Sequence, residues 1–197
     1  MGPALEMSRS FVRRECQKNY APLMLLWKGI GRFIADHPRY KILFGAVSIT
    51  NDYNSYSRRL MAAFLKANNS LPDLARMIRP RRPYRHGPIR DLERHKSALW
   101  PKDVDELSAW ISGIETDGKG VPILIKQYLK LGGELLAFNI DSTFGNVLDG
   151  LIMVDLTRTD PKILKRYMGP DGFAAFQDYH QELYPQLPLA GELPANA

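Results

Sequence analysis

Cysteine is nearly missing from this chain: Cys16 is the only one in 197 residues. No intrachain disulfide can form, no thiolate metal cluster can be built, and a reducing compartment fits best. Histidine is sparse as well, and His37, His86, His95 and His180 show no i, i+4 pairing of the kind that holds zinc. No apolar run approaches the ~20 residues of a membrane-spanning helix. No basic-then-apolar leader with a cleavage site opens the chain. These absences predict a cytoplasmic protein whose membrane contact is at most peripheral to the inner membrane. The chain also lacks a Gly-x-Ser-x-Gly elbow, a Walker loop, and any helix-turn-helix or ribonucleoprotein signature. Nucleic acid is therefore not an expected partner.

Positive charge, by contrast, is in excess. Lys and Arg number 27 against 21 Asp and Glu, a net charge of +6 that favours an anionic partner. The length suits one domain with a tail, long enough to bury roughly 70% of its unfolded surface without staples.

Periodicity divides the chain into alternating elements. Leu5 to Val12 reads as a strand carrying two polar side chains, Glu6 and Arg9. A helix follows with Leu23, Leu26, Trp27, Ile30, Phe33 and Ile34 on one stripe, opened by Pro22 and closed by His37-Pro38. Tyr40 to Ile49 is the continuous apolar run of a buried strand, so the first two strands should be parallel neighbours. A second helix is expected from Ser55 to Asn68, with Leu60, Ala63 and Phe64 inward. A third is capped by Asp103 and carries Val104, Leu107, Trp110, Ile111 and Ile114. A fourth opens at Pro122 and stops at Gly132-Gly133. Strands are expected at Glu134 to Ile140 and Leu151 to Leu156, then a last helix from about Asp160 to Tyr184. The domain is drawn at 1–178, and the Pro-rich segment 179–197 is expected to be a disordered tail.

Between Arg79 and Lys96 lie seven cations with Tyr84 as the only aromatic, so no base-stacking pattern is interleaved. The segment reads either as a solvated loop or as a surface for phosphate groups or an acidic protein. Cys16 has Arg13, Arg14 and Lys18 near it, which would lower a thiol pKa, but an incidental cysteine is the stronger reading. A strand, a basic polar turn and a helix in that order make an anion site, because free N–H groups at a helix start favour negative charge. Taken alone, Glu6 and Arg9 read as polar residues on an exposed sheet face.

Three longer blocks change that reading. EMSRSFVRRECQKNYAPLMLLWKGIGRFI resembles the "ELGRS" strand and "LLW-GI" helix of the ornithine lipid synthases and their hemolysin-named relatives. These are acyl-carrier-protein-dependent N-acyltransferases of the GNAT superfamily. KILFGAVSITNDYNSYSRRLMAAFL is similar to the family's "LFG-VSI-NDY---SR-LM--FL" strand, turn and helix. VPILIKQYLKLGGELLAFNIDSTFGNVLDGLIMVDL is similar to its closing helix and strands. Acyl-homoserine-lactone synthases carry a similar "ELSRF" strand.

The resemblance implies an α/β fold, a GNAT-like mixed sheet flanked by helices and lacking its N-terminal strands. Its splayed parallel strands would hold a pantetheine thioester, from acyl-carrier protein or acyl-CoA, with no tightly bound cofactor. It implies that Glu6 orients or deprotonates an acceptor amine and that Arg9 binds an anionic substrate group. Ser8, Ser10, Val12, Arg13, Arg14, Lys18, Asn19 and Ser48 would contact the donor. Lys126, Lys130 and the Arg79 to Lys96 loop would face the acidic carrier protein. Phe44, Phe64 and Tyr128 are expected as liners of an acyl groove, where each buried methylene is worth about 0.8 kcal/mol. An exposed sheet edge would invite a second copy of the chain. The rival expectation is a non-catalytic basic binding module for a partner protein or anionic lipid, or a fragment without activity.

Overall fold

Among the described residues four strands form one mixed sheet in the order β1-β2-β4-β3, and helices follow β1, β2 and β4 along the chain. The computed structural model describes residues 2–8, 12–16, 21–85 and 100–183, and places the backbone but not the side chain at 14, 182 and 183. The strands are β1 (Ala4–Glu6), β2 (Ile42–Ile49), β3 (Glu134–Asp141) and β4 (Val147–Asp155). The helices are α1 (Ala21–Asp36), α2 (Ser55–Asn68), α3 (Pro72–Ala75), α4 (Val104–Ile114), α5 (Ile123–Lys130) and α6 (Pro161–Leu183). The mixed α/β class agrees with the sequence. The chain divides into two compact units, one built on β1, α1, the start of β2 and α6, the other on the rest of β2, α2 to α5 and the β3–β4 hairpin.

In the first unit, β1 pairs parallel to β2 with Ala4 opposite Ile42, Leu5 opposite Leu43 and Glu6 opposite Phe44. Parallel neighbours need a crossover, and α1 supplies it. The helix buries Trp27 and Ile34 and packs against α6, which contributes Leu164, Met168, Phe173 and Phe176. Full burial of such side chains is worth about 1.5–3 kcal/mol each, so this contact is a main source of the unit's stability. Phe33, expected on the inward stripe, is 41% exposed and stacks on His37 instead. Alpha-helical residues advance about 100° each, which turns Phe33 away from the face that Ile34 buries. The last helix is broken: Gly169 adopts φ 78° just before Pro170, which offers no N–H to continue the ladder. Helix α6 also reaches Leu183, so residues 179–183 are helical rather than tail, and 184–197 lie outside the described residues.

The opening strand is shorter than its sequence suggests. Strand β1 ends at Glu6 rather than Val12, and Arg14–Cys16 form a 3-10 turn closed by Cys16 N–H donating to Arg13 O at 2.8 Å.

In the second unit, α2 has the bounds expected, because Asn54 caps it by accepting from Tyr56 N–H at 2.8 Å. Ser57, Leu60, Met61, Ala62, Phe64 and Leu65 are its buried residues, whereas Ala63 is only half-buried. Asp103 caps α4 by accepting from the N–H groups of Asp105 and Glu106 at 2.9 and 2.8 Å. Leu107 and Ile111 of α4 are fully buried. β3 and β4 form an antiparallel hairpin whose turn needs left-handed backbone at Gly145 and Asn146, φ 67° and 57°. β4 begins at Val147, four residues before the expected start at Leu151, because Leu148 and Gly150 continue its alternation of buried positions.

No helix among the described residues is long and apolar enough to cross a membrane.

Candidate functional site

The first candidate lies where β1 ends. Glu6 is exposed there, opposite Phe44, and Met7 N–H extends the pairing by donating to Phe44 O at 2.7 Å. The strands approach so closely that a Cβ on Gly45 would sit 2.6 Å from Met7 O, so only glycine fits without movement. Beyond this point Ser8 is exposed and Val12 half-buried. Arg13 forms an ion pair with Glu15, both exposed, which contributes little to stability. Arg14 stands in the 3-10 turn, and Cys16 beside it is half-buried. Arg9, Ser10, Lys18 and Asn19 lie outside the described residues. Of the two expected catalytic side chains, Glu6 is therefore described and Arg9 is not.

Ser48 is engaged in the second unit, with a partner that sequence reasoning missed. Its hydroxyl donates to Asp149 Oδ1 at 2.6 Å, joining β2 to β4 across 101 positions of sequence. Both residues are half-buried. Asn139 is the Cα partner of Asp149 on β3, and its Oδ1 accepts from Arg82 N–H at 2.9 Å. The only sequence signal for this group is the alternation LDGLIMVD, which sets a carboxylate at an outward position of a strand.

A second network in the same unit ties the turn after β2 to the end of α4. Glu115, with its side chain 5% exposed, accepts from Asn54 N–H at 2.9 Å. Lys119 Nζ lies 3.8 Å from Glu115 and 3.2 Å from Asp117, donates to Asp52 O at 2.9 Å, and sits over the Tyr53 ring. Tyr53 in turn donates to Gly120 O at 2.8 Å. Burial pushes the Tyr53 phenol up, and the charges of Glu115 and Asp117 push it the same way. Every strong group here has a partner within the network, so it braces the turn and leaves little for a ligand.

The basic segment begins as an extra rung on β3. Ile140 N–H donates to Arg82 O at 2.9 Å, and Pro83 bridges Asn139. From it Arg79, Arg81, Arg82 and Arg85 are exposed, while 86–96 lie outside the described residues. Burial raises the Tyr84 pKa, against the opposing charges of Arg58 and Arg59. Lys126 pairs with Asp105 at 3.0 Å and Lys130 is exposed.

The expected acyl liners are mostly core. Phe64 is 2% and Tyr128 3% exposed, and burial pushes the Tyr128 phenol up to about 12. Phe44 is half-buried. In the first unit a cavity of about 10 Å³ lies among Trp27, Ile34, Leu43, Leu164 and Met168, room for one water and not for a chain of methylenes. Among the described residues no three His, Cys, Asp or Glu side chains stand together as a metal site would require.

No family model matches the chain, and no curated protein or solved structure is significantly similar to it.

Proposed function

We propose that the chain is a GNAT-type N-acyltransferase of lipid biosynthesis, moving a fatty acyl group from acyl-carrier protein or acyl-CoA to a primary amine. One observation carries the reading: Glu6 is an exposed carboxylate at the end of β1, in parallel register with β2 across the α1 crossover. The resemblance to the ornithine lipid synthases assigns the amine-directed carboxylate to that position. An ammonium must lose a proton before its nitrogen can attack a thioester carbonyl, and a nearby carboxylate is a suitable base. The nitrogen then bonds to the carbonyl carbon, the carbon–sulfur bond breaks, and the thiol leaves with a proton. Backbone N–H groups around Ser8, Ser10 and Val12 would stabilise the developing oxyanion. Arg9 would hold an anionic part of the acceptor. Arg13 and Arg14, with Lys18 and Asn19, would meet the donor phosphate ahead of α1.

A basic binding module is the second reading, favoured by the exposed Arg79, Arg81, Arg82 and Arg85 beside β3. Incubation with palmitoyl-charged carrier protein and a panel of primary amines separates the two. Amide formation detected by mass spectrometry supports the enzyme. Carrier binding without any amide supports the module.

A further inference from the structure

Asp149 is placed where strands seldom put a carboxylate. Aspartate is depleted in strands, yet this one lies within β4, an inner strand of the sheet, and is half-buried. Half-buried carboxylates ordinarily gain a cation or several donors to offset lost hydration. Among the described residues Asp149 gains only the neutral Ser48 hydroxyl, and no Lys, Arg or His nitrogen lies within 4.0 Å of it. Cations are not short in a chain of charge +6. The neighbouring groups are also fixed. Ser48 commits its proton to Asp149 and keeps its lone pairs as acceptors, while Asn139 is anchored through its oxygen to Arg82 N–H. Period-two alternation puts Ala46, exposed, beside Ser48 and Leu151, half-buried, beside Asp149 on the same face.

A carboxylate, a hydroxyl acceptor and a short apolar flank suit an ammonium on an aliphatic stem. We infer that Asp149, positioned by Ser48, binds the ammonium group of a primary amine. The ammonium donates charge-assisted hydrogen bonds to the carboxylate and to Ser48 Oγ, and its stem lies toward Ala46 and Leu151. The inference goes beyond the acyl-transfer reading: the reacting nitrogen of that reading meets Glu6 in the first unit, whereas Ser48 and Asp149 belong to the second.

Titration with n-butylammonium chloride, without any thioester, followed by backbone amide chemical shifts, tests it. Saturable shifts centred on Ser48, Asn139 and Asp149, and none with n-butanol, are expected. Asp149→Asn keeps an acceptor for Ser48 and removes only the charge, and it should weaken binding at least about tenfold. Ser48→Ala should weaken it several-fold. Equal affinity in a folded Asp149→Asn overturns the inference. If that variant does not fold, Ser48→Ala decides, and unchanged affinity there overturns it. Saturable binding without amide formation would leave this site standing and remove acyl transfer. Amide formation by wild type with no saturable n-butylammonium shift at Ser48, Asn139 or Asp149 would do the reverse.

Discussion

Gly31 of α1 lies against Tyr167 of α6 so closely that a Cβ there would stand 2.6 Å from the Tyr167 carbonyl oxygen. The contact is to backbone, which cannot rotate away. Gly31→Ala should therefore destabilise the first unit, by about 1–3 kcal/mol as for other overpacked cores. Gly29, one residue pair away on the same helix, has nothing within 4 Å of its Cβ position. Gly29→Ala should stabilise by about 0.5–1 kcal/mol through helix propensity. Urea midpoints of the two variants should move in opposite directions from wild type.

Glu115 holds the start of α2 through Asn54 N–H. Glu115→Ala leaves that donor without its side-chain acceptor and should cost about 1–3 kcal/mol. Glu115→Gln keeps an oxygen at the same place but loses the attraction for Lys119, so it should fall between alanine and wild type in chemical denaturation.

His180 sets a pH dependence. Burial lowers its pKa below the usual 6.5, against the partly opposing hydrogen bond to Pro38 O at 2.8 Å. The unfolded chain then takes up the proton more readily than the folded one. Its stabilising contribution is full above about pH 6.5 and is lost as pH falls through the folded value. His180→Gln keeps a donor for Pro38 without a titrating ring. Its thermal midpoint should change less between pH 7.5 and about 5 than that of wild type.

The elements best legible in sequence are those whose ends are written in local chemistry. Asn54 and Asp103 are N-cap residues, so the starts of α2 and α4 follow from side chain to backbone bonds within three residues. The Gly132 stop after α5 is equally local, at φ 79°. The break in α6 was also present in the sequence, as the Gly-Pro pair at 169–170, but the apolar positions on either side mask it. β1 was overread at its described positions, since Met7, Ser8 and Val12 lie outside the strand and the chain turns at Arg14–Cys16. The Ser48–Asp149 bond had no legible precursor beyond the outward carboxylate of LDGLIMVD, since it joins β2 to β4 across 101 positions. Of the opening motif, Glu6 stands at the end of β1 rather than near the start of a strand running to Val12, and Arg9, Ser10, Lys18 and Asn19 lie outside the described residues.

The most direct measurement is the rate of amide formation from palmitoyl-carrier protein by wild type and by Glu6→Gln, with an amine that wild type accepts. Glu6 is exposed at a strand end, so the amide substitution should leave the thermal midpoint unchanged. Loss of a general base predicts a fall in kcat/KM of about 10²- to 10⁴-fold with carrier binding retained. A folded Glu6→Gln that transfers the acyl group as fast as wild type, or a wild type that forms no amide with any amine, would contradict the account.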